Sequence, residues 1–542
     1  MDFADSIFSN GDIITMTDSQ PAAEALAIKD GRILAVGSAA DVSVHAGPAT
    51  KRIDLGGKTL LPGFLDGHSH FINAIRMASW ANLSAPPVGK VRSIADLIAT
   101  LQATKEEQQL KPGQWLIGYG YDGTTLADGR ELTRADLDPH FPENPVVAMH
   151  VSLHGAVLNT PAFEAAHIGV NAPAPEGGMT ARIPGTEEAA GLLMEHSFLP
   201  VYMNMPAPSE QEQLDAFETA QKTYAGNGYT TAQDAPMEPA TRPLYHKAAD
   251  QGRFFIDFVG FLNWLEFPEV LAKHSEPVNE GYSNRFRVGG VKIVADGSPQ
   301  GKTAYWTQPL LTPGPGGEKD WRGEPNVSQE DLNALIKLAY DNGIKVWTHC
   351  NGDAAIDMML EAHAAAGAPA NTRTTIIHSQ FVRPEQLDKY VEYGFLASFF
   401  TNHAYFWGDV HVENLGKERA YFLSPTRSAK NRGIPFSNHS DFAVTPLNPM
   451  FILWTSVSRT SRSGQIIGAG ERLSPHEGLR ALTIDAAYQY GEEREKGTLE
   501  PGKLADLVVL DRNPTKVPVD EIKEIEIVET FKEGASVFRA AG

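Results

Sequence analysis

Six residues scattered along the chain have the types that a metal site needs. His68 and His70 stand two apart in FLDGHSH (64–70). Lys292 lies in GGVKIVA, His349 in THCNGD, His378 in TTIIHSQF and Asp441 in SNHSD. Neutral imidazole and carboxylate are the usual ligands of zinc and similar ions. Residues i and i+2 on a strand face the same side, so His68 and His70 can grip one ion. Each residue also has an ordinary reading on its own. The histidine pair fits a polar turn, His349 and His378 fit hydrogen-bonded structural histidines, and Asp441 fits a helix N-cap. Lys292 is costlier to explain away. A charged lysine inside an apolar run is expensive to bury without a partner, unless it snorkels from an edge strand.

For these residues to meet, the fold must bring distant segments together. The middle of the chain alternates short apolar runs with helix-like segments. The runs are TLLPGFLDGHSH, GYTTAQDA, FFIDFVGFLN, VGGVKIVADGS, GIKVWTHCNGD, TTIIHSQF, GFLASFF and GIPFSNHSD. Between them, in QEDLNALIKLAYDNG, Leu332, Leu335, Ile336 and Ala339 follow helical spacing and Gly343 closes the helix. Strand–helix alternation implies a parallel sheet, and eight runs predict an α/β fold of (β/α)8 TIM-barrel type. In such barrels the reactive residues gather at the C-terminal ends of strands, where five of the eight runs carry a candidate ligand.

From about 73 to about 205 the rhythm is lost among prolines and glycines. This interval reads as an insertion after the first barrel strand, placed over the barrel mouth. Residues 1–61 and 495–542 are rich in short strand patterns. Asn10-Gly11 and Asp30-Gly31 are hairpin signals between apolar runs. The two ends are expected to form one flanking β-sandwich, leaving 62–494 for the barrel and its insertion.

The chain's 542 residues suffice for one large domain with additions. A net charge of −21 and the lack of a basic run argue against a nucleic-acid surface. The single cysteine, Cys350, permits no internal disulfide. The segment MDFADSIFSNG lacks the apolar stretch of a signal peptide, and no run approaches a membrane span. A cytoplasmic protein with a small-molecule substrate, and without nucleic-acid or membrane partners, is expected. A homodimer stays open.

The segments named above resemble the amidohydrolase superfamily, and in particular amidohydrolase family 3. TLLPGFLDGHSH is similar to that family's first-strand signature and VKIVADGSPQGKTA to its fourth-strand block. THCNGDAAID, IIHSQF and SNHSDFAVTPLNP match the fifth, sixth and eighth, and GTLEPGKLADLVVLDRNP resembles its closing strand. The resemblance covers nearly the whole chain. It implies two divalent ions, zinc first and manganese or iron as alternatives. His68 and His70 would hold one and His349 and His378 the other. Lys292, carboxylated by carbon dioxide, would bridge them, and Asp441 would bind the first ion and act as acid and base. The implied activity is hydrolysis of a non-peptide C–N bond by a metal-activated hydroxide, as in N-substituted formamide deformylases. A lactonase, a ring-amine deaminase and a non-enzymatic scaffold are the competing readings.

The sequence departs from the pattern at the eighth strand, where His439-Ser440-Asp441 replaces the usual Gly-Ser-Asp. His439 shares a face with Asp441 and is either a partner of the ligands or a packing residue. After strand seven, TNHAYFWGDVH offers His403 and His411, of which His403 is the candidate for steering the substrate. His154, Tyr121, Trp306 and Trp407 are candidate substrate contacts, and the aromatics favour a substrate with an apolar or aromatic part. Asp66 is expected to orient the turn or a ligand histidine.

Overall fold

The computed structural model describes residues 3–86, 88–151, 155–175, 178–206, 209–314, 317–367 and 372–540. Each of the eight apolar runs supplies one strand of a single sheet: Phe64–Leu65, Tyr229–Met237, Asp257–Asn263, Phe286–Val294, Val346–Cys350, Thr375–His378, Leu396–Phe399 and Phe436–Asn438. They pair in sequence order as one parallel sheet. Both faces are covered, which is why the strands read as continuous apolar runs rather than as alternation. The helix Gln329–Asp341 is typical of the connections. Ser328 caps its first turn, and Leu332, Leu335, Ile336 and Ala339 are its buried face, as their spacing predicts.

The sheet curls until its two edges meet, as a barrel requires. The Asp441 amide donates to the His68 carbonyl at 3.1 Å, and the His70 amide donates to the Phe442 carbonyl at 2.8 Å. Gly67 permits this approach, since a Cβ there would stand 2.8 Å from Ser437 Oγ. Leu65, Ala235, Val259, Phe261, Trp347 and Ile377 pack with Ala486, Ala487 and Tyr490 from the helix Ile484–Tyr490. Phe261 and Trp347 stack with ring centroids 3.9 Å apart.

Both chain ends feed a second eight-stranded sheet, with Leu507–Leu510, Ile527–Lys532 and Ala535–Arg539 joining five strands from the first 62 residues. Asp30 and Gly31 form the expected two-residue hairpin loop, with φ of 50° and 76°. Asn10-Gly11 makes no hairpin. It lies inside the strand Ser6–Ile14, where the register to Ala22–Lys29 breaks between Ser9 and Ile13. Asn10 takes the left-handed φ of 60° as a bulge. The strand thereby serves two further partners, Lys51–Asp54 before the break and Thr59–Pro62 after it.

A buried ion network ties this sheet to the parallel one. Asp257, at the start of the third parallel strand, lies 2.6 Å from Lys496 Nζ and 2.7 Å from Lys532 Nζ. Lys532 also reaches Asp506 at 2.8 Å, and Lys496 reaches Glu492 at 2.6 Å.

The chain divides into two compact units, Met1–Ile72 with Ala220–Gly542, and Asn73–Thr219. The second has its own six-stranded sheet, with strands in the order Gly178–Arg182, Ala189–Glu195, Gly155–Leu158, Val146–His150, Leu116–Tyr121 and Ala81–Asn82. Its pairing is parallel at one end and antiparallel at the other, which explains why no regular alternation marks it. Among the described residues no helix is long and apolar enough to cross a membrane.

Candidate metal centre

The six candidate ligands lie at or beyond the C-terminal parts of five parallel strands. His68 and His70 follow the first strand directly. His68 Nδ1 is 2.9 Å from Gln233 Oε1, on the second strand. A carbonyl oxygen can only accept, so the proton sits on Nδ1 and the Nε2 lone pair faces inward. Gln233 Oε1 also accepts from the Ser69 amide at 3.1 Å, and its Nε2 donates to Tyr490 Oη at 3.2 Å. Asp66 accepts from Ser69 Oγ and from the His68 amide, and so braces the turn that carries His68.

His68 Nε2 and His70 Nε2 lie 3.4 and 3.2 Å from one oxygen, Oδ1 of Asp441. Asp441 caps no helix. The next helix, Pro449–Ser458, is capped by Asn448. Instead Asp441 sits at φ 53°, a left-handed conformation that costs a non-glycine residue about 1–3 kcal/mol. His378 shares this strain at φ 72°.

Lys292 is buried in the fourth strand, between two neighbours, so the snorkelling alternative is excluded. Its Nζ is 3.1 Å from His68 Nε2. Burial pushes its amine down to about 7, against the opposing pull of Asp441. On the far side, His349 Nδ1 and His378 Nε2 face each other at 3.0 Å. His349 Nε2 is 3.2 Å from the Gly297 carbonyl and 2.9 Å from Asn351 Nδ2. Asp296, just after the fourth strand, lies 3.5 Å from the same Nε2. It accepts from the amides of Asn351, Tyr305 and Gly352, and burial raises its carboxyl to about 7.

The donor set fits divalent ions. Burial holds His349 down to about 3 and His68 and His378 well below the ordinary imidazole value, so all three are neutral and carry lone pairs. Burial would raise Asp441, but its contact with His70 holds it well below the usual carboxylate range. Its Oδ1 is buried and makes no hydrogen bond. With the His68 proton held on Nδ1 by Gln233, the Nε2 lone pair faces this buried carboxylate oxygen, a repulsive contact that a cation between them would relieve. Ligand bonds of about 2.0–2.2 Å at tetrahedral angles would space neighbouring ligand atoms by about 3.4 Å, close to the observed separations. The ligand atoms of His68, His70 and Asp441 all lie within 4.8 Å of one another.

The other candidates divide. His439 is drawn in, with its Nε2 3.1 Å from His378 Nδ1 and its ring stacked on Phe400. His403 lies 4.6 Å from Phe400 and 4.5 Å from Trp407 between ring centroids, and its Nδ1 is 3.0 Å from His411 Nε2. Trp407 is half-buried. Trp306 is enclosed with Phe381, Leu310 and Ile467, so its contacts are packing contacts. Tyr121 is fully buried in the core of the Asn73–Thr219 unit, where its hydroxyl meets Glu131 and the Leu132 amide. His154 lies outside the described residues. Gln233, Asp296 and Ser398 (2.8 Å from His439 Nδ1) were not singled out from the sequence. The one cue to them was a polar residue inside or just after an apolar run.

A family model described as the amidohydrolase family matches residues 51–538. The N-substituted formamide deformylase of Arthrobacter pascens is 27% identical, with 99% of each chain covered. A putative amidohydrolase of Bacillus subtilis, YtcJ, is also 27% identical, over 98% of this chain and 99% of its own. The crystal structure of an uncharacterized metal-dependent hydrolase from Pyrococcus furiosus superposes with a TM-score of 0.73 at 23% identity, covering 94% of this chain and 100% of that one. A match over that share of its length makes this chain a member of the amidohydrolase family, a hydrolase of carbon–nitrogen bonds other than peptide bonds.

Proposed function

We propose that this enzyme cleaves a small, non-peptide amide of formamide type whose nitrogen carries an apolar or aromatic group. The observation that carries the reading is Asp441 Oδ1, buried, without a hydrogen bond, and shared between His68 Nε2 and His70 Nε2. His68, His70 and Asp441 would hold one divalent ion, and His349 and His378 the other. Zinc suits this donor set best, with manganese or iron as alternatives. When bound, the ions supply Lewis acidity toward a carbonyl and toward water.

Lys292, once carboxylated, would supply an anion to both ions. Only a neutral amine attacks carbon dioxide, and burial brings Lys292 to about 7, where much of it is neutral near physiological pH. The new N–C bond releases one proton and leaves a carbamate with two oxygens. A buried amine thus becomes an anion that would match the positive charge of the ions. Asp441 takes the proton of the attacking water and delivers it to the leaving nitrogen. His403 steers the substrate carbonyl, and Trp407 beside it offers an apolar wall to the nitrogen substituent.

Parallel assays of N-substituted formamides, longer acyl amides, lactones and ring amines test the substrate class. Turnover of the formamides is expected, and turnover of lactones alone would overturn the reading. Lys292→Ala should lose one of two bound metals, read by elemental analysis of the purified protein. Unchanged metal content and rate would defeat the bridging role.

A further inference from the structure

His439 occupies the position at which this sequence departs from Gly-Ser-Asp, and it is buried against a ligand. We propose that His439 is a positioning residue, the centre of a one-way hydrogen-bond relay that fixes the His378 proton on Nδ1 and leaves Nε2 free for metal. This inference rests on the metal reading above.

The direction of the relay follows from its far end. Gln489 Nε2 donates to the Gly67 carbonyl at 2.9 Å, which turns Gln489 Oε1 toward Ser437 Oγ. An amide oxygen can only accept, so Ser437 places its single proton there. Ser437 Oγ is also 2.8 Å from Ser398 Oγ. The angles at the two oxygens favour Ser437 as donor to Ser398 as well, but its single proton is given to Gln489 Oε1, which can only accept, so Ser398 turns its own proton to Ser437. Ser398 Oγ then accepts from His439 Nδ1, 2.8 Å away. A neutral imidazole carries one donor and one acceptor, so His439 Nε2 holds a lone pair. That lone pair accepts from His378 Nδ1 at 3.1 Å. His378 is left with its lone pair on Nε2, the atom that faces His349 Nδ1 at 3.0 Å. All five side chains are buried, so bulk water offers no competing partner. Partners of this kind orient metal-binding histidines and set the tautomer that binds.

The test is zinc affinity of the full-length protein by chelator competition, with the thermal midpoint of the metal-free form as a control. Ser398→Ala and His439→Leu should weaken zinc binding about 10–100-fold. His439→Gln, whose Oε1 can take the His378 proton, should stay near wild type. Histidine-selective ¹⁵N spectra of the metal-free protein should place the protons of His378 and His439 on Nδ1. Should His439→Leu fail to fold, Ser398→Ala and the spectra decide. Wild-type affinity in every variant overturns the relay, as does a Gln variant as weak as the Leu one, or a proton on either Nε2. A lowered midpoint with unchanged affinity assigns His439 to packing and overturns it too. A wild-type protein that binds no zinc overturns the metal reading itself, which separates the two failures.

Discussion

Asp441→Asn should lower kcat/KM by about 10²–10⁴-fold on an amide that the wild type hydrolyses. The asparagine keeps the size of the side chain but can neither take a proton nor complete an anionic ligand set. The backbone hydrogen bond from residue 441 to the His68 carbonyl does not involve the side chain and should persist. Initial rates with zinc supplied, at limiting and saturating substrate, check the result. A loss confined to KM would mean that Asp441 holds the substrate and transfers no proton.

The second large effect is on stability. Asp257→Ala leaves two buried ammoniums, Lys496 and Lys532, without their shared carboxylate. Stripping one partner from a buried ion pair costs about 3–5 kcal/mol. The lower end applies here, because Glu492 and Asp506 still face the two lysines. The shift of the urea midpoint measures it. The same group gives a pH dependence. Burial alone would raise the Asp257 carboxyl, but the Lys496 and Lys532 charges overcome that and hold it well below its ordinary value. The folded state therefore releases this proton more readily than the unfolded chain. Its stabilisation is complete above the unfolded carboxyl pKa of about 4 and declines as the pH falls below that. In the Ala variant this part of the acid sensitivity should vanish. An unchanged slope of stability between about pH 5 and pH 3 would show that the carboxylate is not the group responsible.

The parallel sheet was legible because strands covered on both faces become unbroken apolar runs, and all eight stand where those runs stand. The candidate ligands stood out for a related reason, since a histidine, lysine or aspartate at the end of such a run has few packing roles. Their supports were not. Gln233 braces His68 across 165 positions, and Ser398 meets His439 across 41, so nothing local marks either pair. Asn10-Gly11 misled for the opposite reason. Its local preference for left-handed backbone was satisfied by a bulge, because pairing on both sides kept the strand going. Trp306 and Tyr121 show the limit of residue type as a guide. Aromatic side chains serve cores as readily as pockets, and here both are enclosed.

The seam where the sheet's edges meet has a thermodynamic consequence. Its two cross-strand hydrogen bonds involve the backbones of His68, His70, Asp441 and Phe442, three of which bear proposed ligands. An ion held by those side chains would act as a clasp across the joint. Amide hydrogens of His70 and Asp441 exchange with solvent only when the joint parts, and a ligand that binds only the closed form slows that parting by mass action. Ion binding and closure of the joint would then be one equilibrium, so whatever loosens the ligand set would also loosen the joint.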